Sequence, residues 1–280
     1  MTLNYKPLAE VVALPGVNNA TRRNIMKSNT MYRRSVIAVM GVVLLILTAT
    51  IASAKNPNPG VLPPNSHSFG MTYGEWSAAW WQYVFSLPVD NNPLFDDTGE
   101  KCAVGQSGKV FFLVGTVTIV EVSPNVVLGE AERDCTVPAG KAIFFPIINS
   151  ECATAEGNGT TDEELRSCAE FFVNHAGDLQ AEIDGVPVQN LEMYRAESPL
   201  FSYGPLPDNN ILQFFGFDAP AGTTSPSVSD GFYLMLAPLS AGEHTIHFSG
   251  NQTFTQAEDG FDFQFILDIT YNLTVAPHKP

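Results

Sequence analysis

From Phe261 to Val275 the odd positions read Phe261, Phe263, Phe265, Leu267, Ile269, Tyr271, Leu273 and Val275, while the positions between them carry Asp262, Gln264, Ile266, Asp268, Thr270, Asn272 and Thr274. Successive side chains of a β-strand point to opposite faces, so this spacing predicts a strand with one buried and one wet face. Such one-sided burial is the habit of antiparallel sheets. Fifteen residues is long for one strand, and a bend or bulge is expected. Further strands are read at Lys109 to Val122, Lys141 to Ile148, Ile211 to Phe217, Phe232 to Leu236 and His244 to Phe248, all rich in Val, Ile, Phe or Thr. Asp184-Gly185, between Ala181 and Val188, marks a tight hairpin.

Helical signals are few. Thr72 and Glu75 have the form of a capping box, followed by apolar residues to Leu87 and a stop at Pro88; Thr161 and Glu164 open a second helix that runs to about Ala176. Many strands with two segregated helices predict a mainly β fold: an antiparallel β-sandwich, immunoglobulin-like or jelly-roll-like, with two helical additions. The segment Asp218 to Gly231, rich in Ser, Thr, Pro and Gly, reads as a long loop.

The N-terminal part has a different character. Residues 1–34 hold six basic residues and one acid, and a twelve-residue apolar core, Val36 to Leu47, leads to the A-x-A pattern of Ala52 and Ala54. A bilayer span needs roughly 20 apolar residues, so this reads as a signal peptide in a leader of residues 1–54, cleaved before Lys55, with Met31 as an alternative start. An uncleaved anchor is the competing reading and would place the same domain on the same external side. A Pro- and Asn-rich tether, 55–70, and one β-rich domain, 71–280, complete the organisation.

The mature part carries eight basic and 28 acidic residues, a formal charge of −20, which argues against nucleic acid as a partner. All four cysteines, Cys102, Cys135, Cys152 and Cys168, follow the leader, and an even count in an oxidising periplasmic or extracellular compartment implies two disulfides. Of three connectivities, closure between nearest neighbours costs least chain entropy, though strand order could overrule it. No C-x₂-C pair supports a metal site instead.

The three tryptophans fall in one stretch, Tyr73 to Tyr83. On a helix Trp76, Trp80, Tyr83, Val84 and Leu87 share a face, Trp81 and Phe85 point elsewhere, and Glu75, Gln82 and Ser86 form the polar stripe. A helix apolar on most sides is normally a core helix; the functional alternative is an aromatic platform, Trp76, Trp80, Trp81 with Gln82 and Glu75, for a sugar or a partner. Asn149, Glu151, Glu156, Asp162, Glu163 and Glu164 gather acids around the later cysteines, as Asp90, Asn91, Asn92, Asp96 and Asp97 do earlier. Bound structural Ca²⁺ is one use for such acids, but neither group fits the EF-hand spacing. No other cofactor or metal is implied. His244, on the face of Ile246 and Phe248, reads as a hydrogen-bonded core residue rather than a catalyst. Metalloprotease, nucleophile-elbow and P-loop patterns are absent, and Ser107 reads as part of a turn. Three N-x-T sequons follow the leader, at Asn158, Asn251 and Asn272.

The segments Tyr73 to Trp81, Cys102-Ala103-Val104-Gly105-Gln106-Ser107-Gly108 and Cys135 to Lys141, with Phe145-Pro146 and Cys152 following, resemble a family of exported bacterial proteins. The resemblance spans most of the mature chain and implies export without naming an activity. Leu239 to Ile246 also looks like the corner before a late strand in immunoglobulin-like sandwiches, which bears on fold alone. The expected function is non-catalytic binding of a glycan, a surface or another protein by an exported β-scaffold. A secreted hydrolase acting on polysaccharide or ester bonds, with Glu75 or Glu151 as acids, and a structural envelope component are the alternatives. A cleft in which two acids face each other favours the hydrolase; exposed aromatics or a polar cleft without converging acids favour binding.

Overall fold

The computed structural model describes Asn58 and residues 60 to 276. The leader, its cleavage point and the first part of the tether lie outside the described residues.

Ten strands, numbered in chain order, form two sheets. In the first the spatial order is β1 (Val110–Phe112), β4 (Ala142–Ala153), β8 (Ser225–Leu236) and β7 (Phe201–Tyr203). The second runs β2 (Ile119–Ser123), β3 (Val126–Pro138), β10 (Phe263–Ala276), β9 (Gly242–Phe254), β5 (Ala176–Ile183) and β6 (Val186–Pro187). The alternating segment folds as read: in β10, Leu267, Ile269, Tyr271, Leu273 and Val275 are buried and the residues between them are not. Its pairing differs from the expectation, however. β10 is antiparallel to β9 but parallel to β3, in register from Gln264 opposite Val126 to Ala276 opposite Pro138. Among the described residues the outer face of β3 stays exposed at alternate positions and that of β10 is only partly covered, so a parallel pair here keeps the wet side usual for antiparallel sheets. Neither ladder of β10 is broken by a bulge; the irregularities fall instead in the ladders β2–β3, β4–β8 and β5–β9. β1 is also parallel to β4.

β4 shows why the two sheets and one helix stack as three layers. Every residue from Ala142 to Ile148 is buried, without alternation. On one side Phe145 meets Phe248 of β9, ring centroids 4.9 Å apart; on the other Phe144 meets Tyr73 at 5.9 Å. Tyr73 opens helix α1 (Tyr73–Phe85), started by the expected capping box of Thr72 and Glu75. α2 (Asp162–Asn174) is started likewise by Thr161 and Glu164.

The sequence reading of Ile211 to Phe217 as a strand is corrected. Asn210 and Gln213 form a third capping box, and a short helix α3 (Ile211–Phe214) buries Ile211 and Leu212. The loop read from Asp218 to Gly231 is strand from Ser225 onward, its serines facing neighbouring strands. The tether, where described, is docked rather than free: Val61 is buried and bridges Leu236, and the Leu62 N–H donates to the Met235 carbonyl at 2.8 Å. At the Asp184-Gly185 hairpin both residues take positive φ, 52° and 75°. Cys102 bonds Cys135 and Cys152 bonds Cys168, the nearest-neighbour pattern. Among the described residues no helix is long and apolar enough to cross a membrane.

Candidate functional site

A cavity of about 280 Å³ lies where α1, β4 and β10 meet the segment around α3. α1 presents Trp80, Trp81 and Phe85; β10 presents Phe265 and Leu267; the α3 segment presents Ile211, Leu212, Phe215 and Phe217. β4 adds Pro146, Ile148, Asn149 and Glu151. Its register against β8 shifts between Pro146 and Ile148. Bulges bend a strand and re-aim its side chains, and here Ile148 and Asn149, neighbours that a regular strand sends to opposite faces, both reach the cavity wall.

The wall formed by Leu94, Gly115, Thr116 and Val117 is held from behind by a single cation. Arg133, on β3, has no solvent exposure. Its guanidinium donates to the carbonyls of Asp96 (2.6 Å), Val114 (2.9 Å) and Gly115 (2.9 Å) and to the Tyr271 hydroxyl (2.8 Å). It therefore ties the loop between β1 and β2 to β10. Buried charge is tolerated when its donors are this fully used.

Two carboxyl groups meet in the cavity. Directly after β4 the chain makes a 3₁₀ turn, Thr154–Glu156, closed by Gly157 in the left-handed region at φ 78°. The Gly157 N–H donates to the Thr154 carbonyl, and the Asn158 side-chain oxygen accepts from the Ala153 N–H at 3.0 Å. The chain thus doubles back, and Glu156 comes within hydrogen-bonding reach of Glu151. Glu151 also accepts a hydrogen bond from Ser227 Oγ on β8. The next residue, Cys152, is bonded to Cys168 of α2.

Burial pushes the Glu151 carboxyl well above the ordinary range; the neighbouring charge of Glu156 adds to this and the Ser227 hydroxyl opposes it. Burial pushes Glu156 up to about 7, against a hydrogen bond from Glu151. Both glutamates are half-buried by accessible surface, because they face the cavity, yet protein surrounds them. Two carboxyls so placed titrate as a unit, and both are shifted toward the protonated form. From β7 the Tyr203 hydroxyl is raised by burial first, and then by both carboxylates.

Of the residues singled out from sequence, Trp80, Trp81, Asn149 and Glu151 line the cavity, while Glu75, Trp76 and Gln82 do not. Glu75 is exposed, accepts from the Thr72 N–H (2.7 Å) and hydroxyl, and does not line the cavity; those bonds hold its carboxyl below the usual range. Trp76 donates to the Ser68 carbonyl, and Gln82 to the Ser202 carbonyl. Trp80 is 2% exposed and donates to Leu113, as befits a core helix. Trp81 stacks on Phe85 with 5.5 Å between centroids, and its buried Nε1 meets no acceptor among the described residues. The buried Asn149 Nδ2 lies against the Tyr233 hydroxyl without hydrogen-bond geometry. Of the acids, Glu164 caps α2, Asp162 pairs with Arg166, and Asp96 accepts from Thr98 and Lys101. Among the described residues no three His, Cys, Asp or Glu side chains cluster as metal ligands. His244 is half-buried at the strand end and bonded to Asp184 at 2.7 Å, rather than sunk in the core.

Sequence reasoning brought Glu151, Asn149, Trp80 and Trp81 to this site but not the pairing of Glu151 with Glu156, nor Ser227, Tyr203 or Arg133. A comparison with protein-family models and with characterised proteins finds no match to this chain.

Proposed function

We propose that the chain is an exported hydrolase in which Glu151 and Glu156 act as a proton-sharing acid pair on an ester or amide bond of a largely apolar substrate. The observation that carries this reading is the convergence of the two carboxyls in an aromatic-walled cavity. Binding alone needs no such pair, and holding two acids together away from water costs stability.

The chemistry follows from one shared proton. The ionised carboxylate takes a proton from a water molecule as its oxygen attacks the carbonyl carbon, while the protonated partner donates to the carbonyl oxygen. Collapse of the tetrahedral intermediate breaks the bond to the alcohol or amine, which leaves with a proton, and the pair returns to its starting state. Glycoside hydrolysis is less well served, since its carboxyls flank a sugar roughly 5–9.5 Å apart, whereas these two lie close enough to act on each other's titration. Export is supported by the two disulfides together with the leader read from the sequence.

The test is a screen of chromogenic esters and anilides with hydrophobic acyl groups. Hydrolysis should fall about 100-fold or more in both Glu151→Gln and Glu156→Gln, with circular dichroism unchanged. No turnover of either class, or equal rates in both variants, refutes the reading.

A further inference from the structure

We infer that the cavity selects by charge as well as by apolarity, and that its ligand is a hydrophobic ammonium: an aromatic or branched apolar body bearing a positively charged nitrogen, seated against Glu151 and Glu156. This deepens the hydrolase reading by naming the class of molecule admitted, but it stands on the cavity and its charges, not on turnover.

Three observations carry it. Among the described residues, the only ionisable side chains on the wall are the two glutamates, with no Lys, Arg or His. The groups facing the pair from other elements add no positive charge. β7 gives the Tyr203 hydroxyl and β8 gives Ser225 and Ser227, while Asp97 stands behind Thr116, whose hydroxyl donates to it at 3.1 Å. An anion entering here meets repulsion without a counter-charge.

The remaining walls are mostly apolar, part aliphatic and part aromatic. Trp81, Phe215, Phe217 and Phe265 surround the space, and the faces of such rings attract cations. Phe215 and Phe217 keep 53% and 38% of their surface exposed, so the rings stand at the entrance as well as inside. The volume, about 280 Å³, is roughly twice that of a cavity known to hold benzene, enough for one ring with a small head group.

A carboxyl pair holding a proton is a site whose counter-ion is already present. An ammonium replaces that proton, so binding releases it, and affinity must rise with pH until the pair is ionised without ligand. An apolar anion shows the opposite trend, and a neutral analogue shows none.

The experiment is calorimetric titration of the full chain with benzyltrimethylammonium, benzyl alcohol and benzoate at pH 6 and pH 8. The ammonium should bind more tightly than the other two, with its affinity rising about tenfold from pH 6 to pH 8 and protons released on binding. Glu156→Gln should remove most of that pH dependence. Phe217→Ala, at a partly exposed position where folding is not at stake, should weaken the ammonium several-fold at both pH values. Equal binding of benzoate and the ammonium, or an affinity independent of pH in the unaltered chain, overturns the inference. Tight ammonium binding with a blank hydrolase screen keeps the inference and removes the hydrolase reading. Ester turnover without ammonium binding does the reverse.

Discussion

Arg133 shows how much one side chain organises here. Strand β3 alternates buried Gly129, Ala131, Arg133, Cys135 and Val137 with exposed Glu130, Glu132, Asp134 and Thr136, so the arginine occupies a core position in a register it cannot escape. It is neutralised by no direct carboxylate bond; its hydrogen-bond acceptors are carbonyls and one hydroxyl, and its guanidinium carbon lies 5.3 Å from the Tyr271 ring centre. Lysine, a point charge with three donors and no planar fork, would leave several of those carbonyls unpaired. Arg133→Lys is expected to lower unfolding free energy by about 2–4 kcal/mol in urea titration, because each buried group left unsatisfied costs about 1–3 kcal/mol. A change under about 0.5 kcal/mol, the size of an ordinary surface substitution, would show that the loop behind the cavity does not depend on it.

At the scale of elements, the site depends on a short unit: the end of β4, the turn that carries Glu156, and α2, joined by the disulfide between Cys152 and Cys168 with a separation of 16 residues. Under α2, Leu165 and Ala169 pack on Cys152 and Val228 in a small core of their own. Replacing both cysteines by alanine should cost about 3 kcal/mol by the chain-entropy argument, seen as an earlier thermal transition. If Glu156 is held by this unit, ester turnover should fall with it; full activity in the double variant would mean that Gly157 and Asn158 suffice to fold the turn. This unit also marks how far the sequence could be read. The alternating pattern of β10, both long helices with their capping residues and the disulfide pairing were legible, since each follows from local spacing or chain entropy. β3 was not, because four polar residues on its wet face and an arginine on its dry face mask the apolar signal. Nor was α3, whose run Ile-Leu-Gln-Phe suits a strand until Asn210 and Gln213 cap it. Glu151 and Glu156 stood in view as loop acids, yet their meeting involves a bulge in β4 and a turn closed by the left-handed Gly157, and neither is fixed by the spacing of acids.

For the whole molecule, the glutamate pair sets the sign of the pH response of stability. In the unfolded chain both carboxyls titrate near 4.3. In the fold both are raised, Glu156 to about 7 and Glu151 well above the ordinary range, so between those limits the folded state binds more protons than the unfolded state. Stability then falls as pH rises, and the pair's contribution is fully present only below about pH 4. Asp96 works in the opposite sense. Despite burial, its carboxyl is held below the usual range by N–H groups of Lys101 and Thr98, by the Thr98 hydroxyl and by Arg133, so its contribution is lost as pH falls. The two effects place the stability maximum on the mildly acidic side of neutrality, and the −20 formal charge of residues 55–280 steepens the decline above it. Glu156→Gln keeps the shape of the side chain and removes its titration. The variant should be near the parent at pH 4.5 and more stable by about 1–3 kcal/mol at pH 8, as read from urea unfolding at both pH values. The gain at pH 8 comes with the loss of hydrolysis expected of the same substitution, the exchange of stability for chemistry that a site holding two acids away from water implies. Equal stability differences at the two pH values would mean that the fold does not hold these carboxyls together in solution.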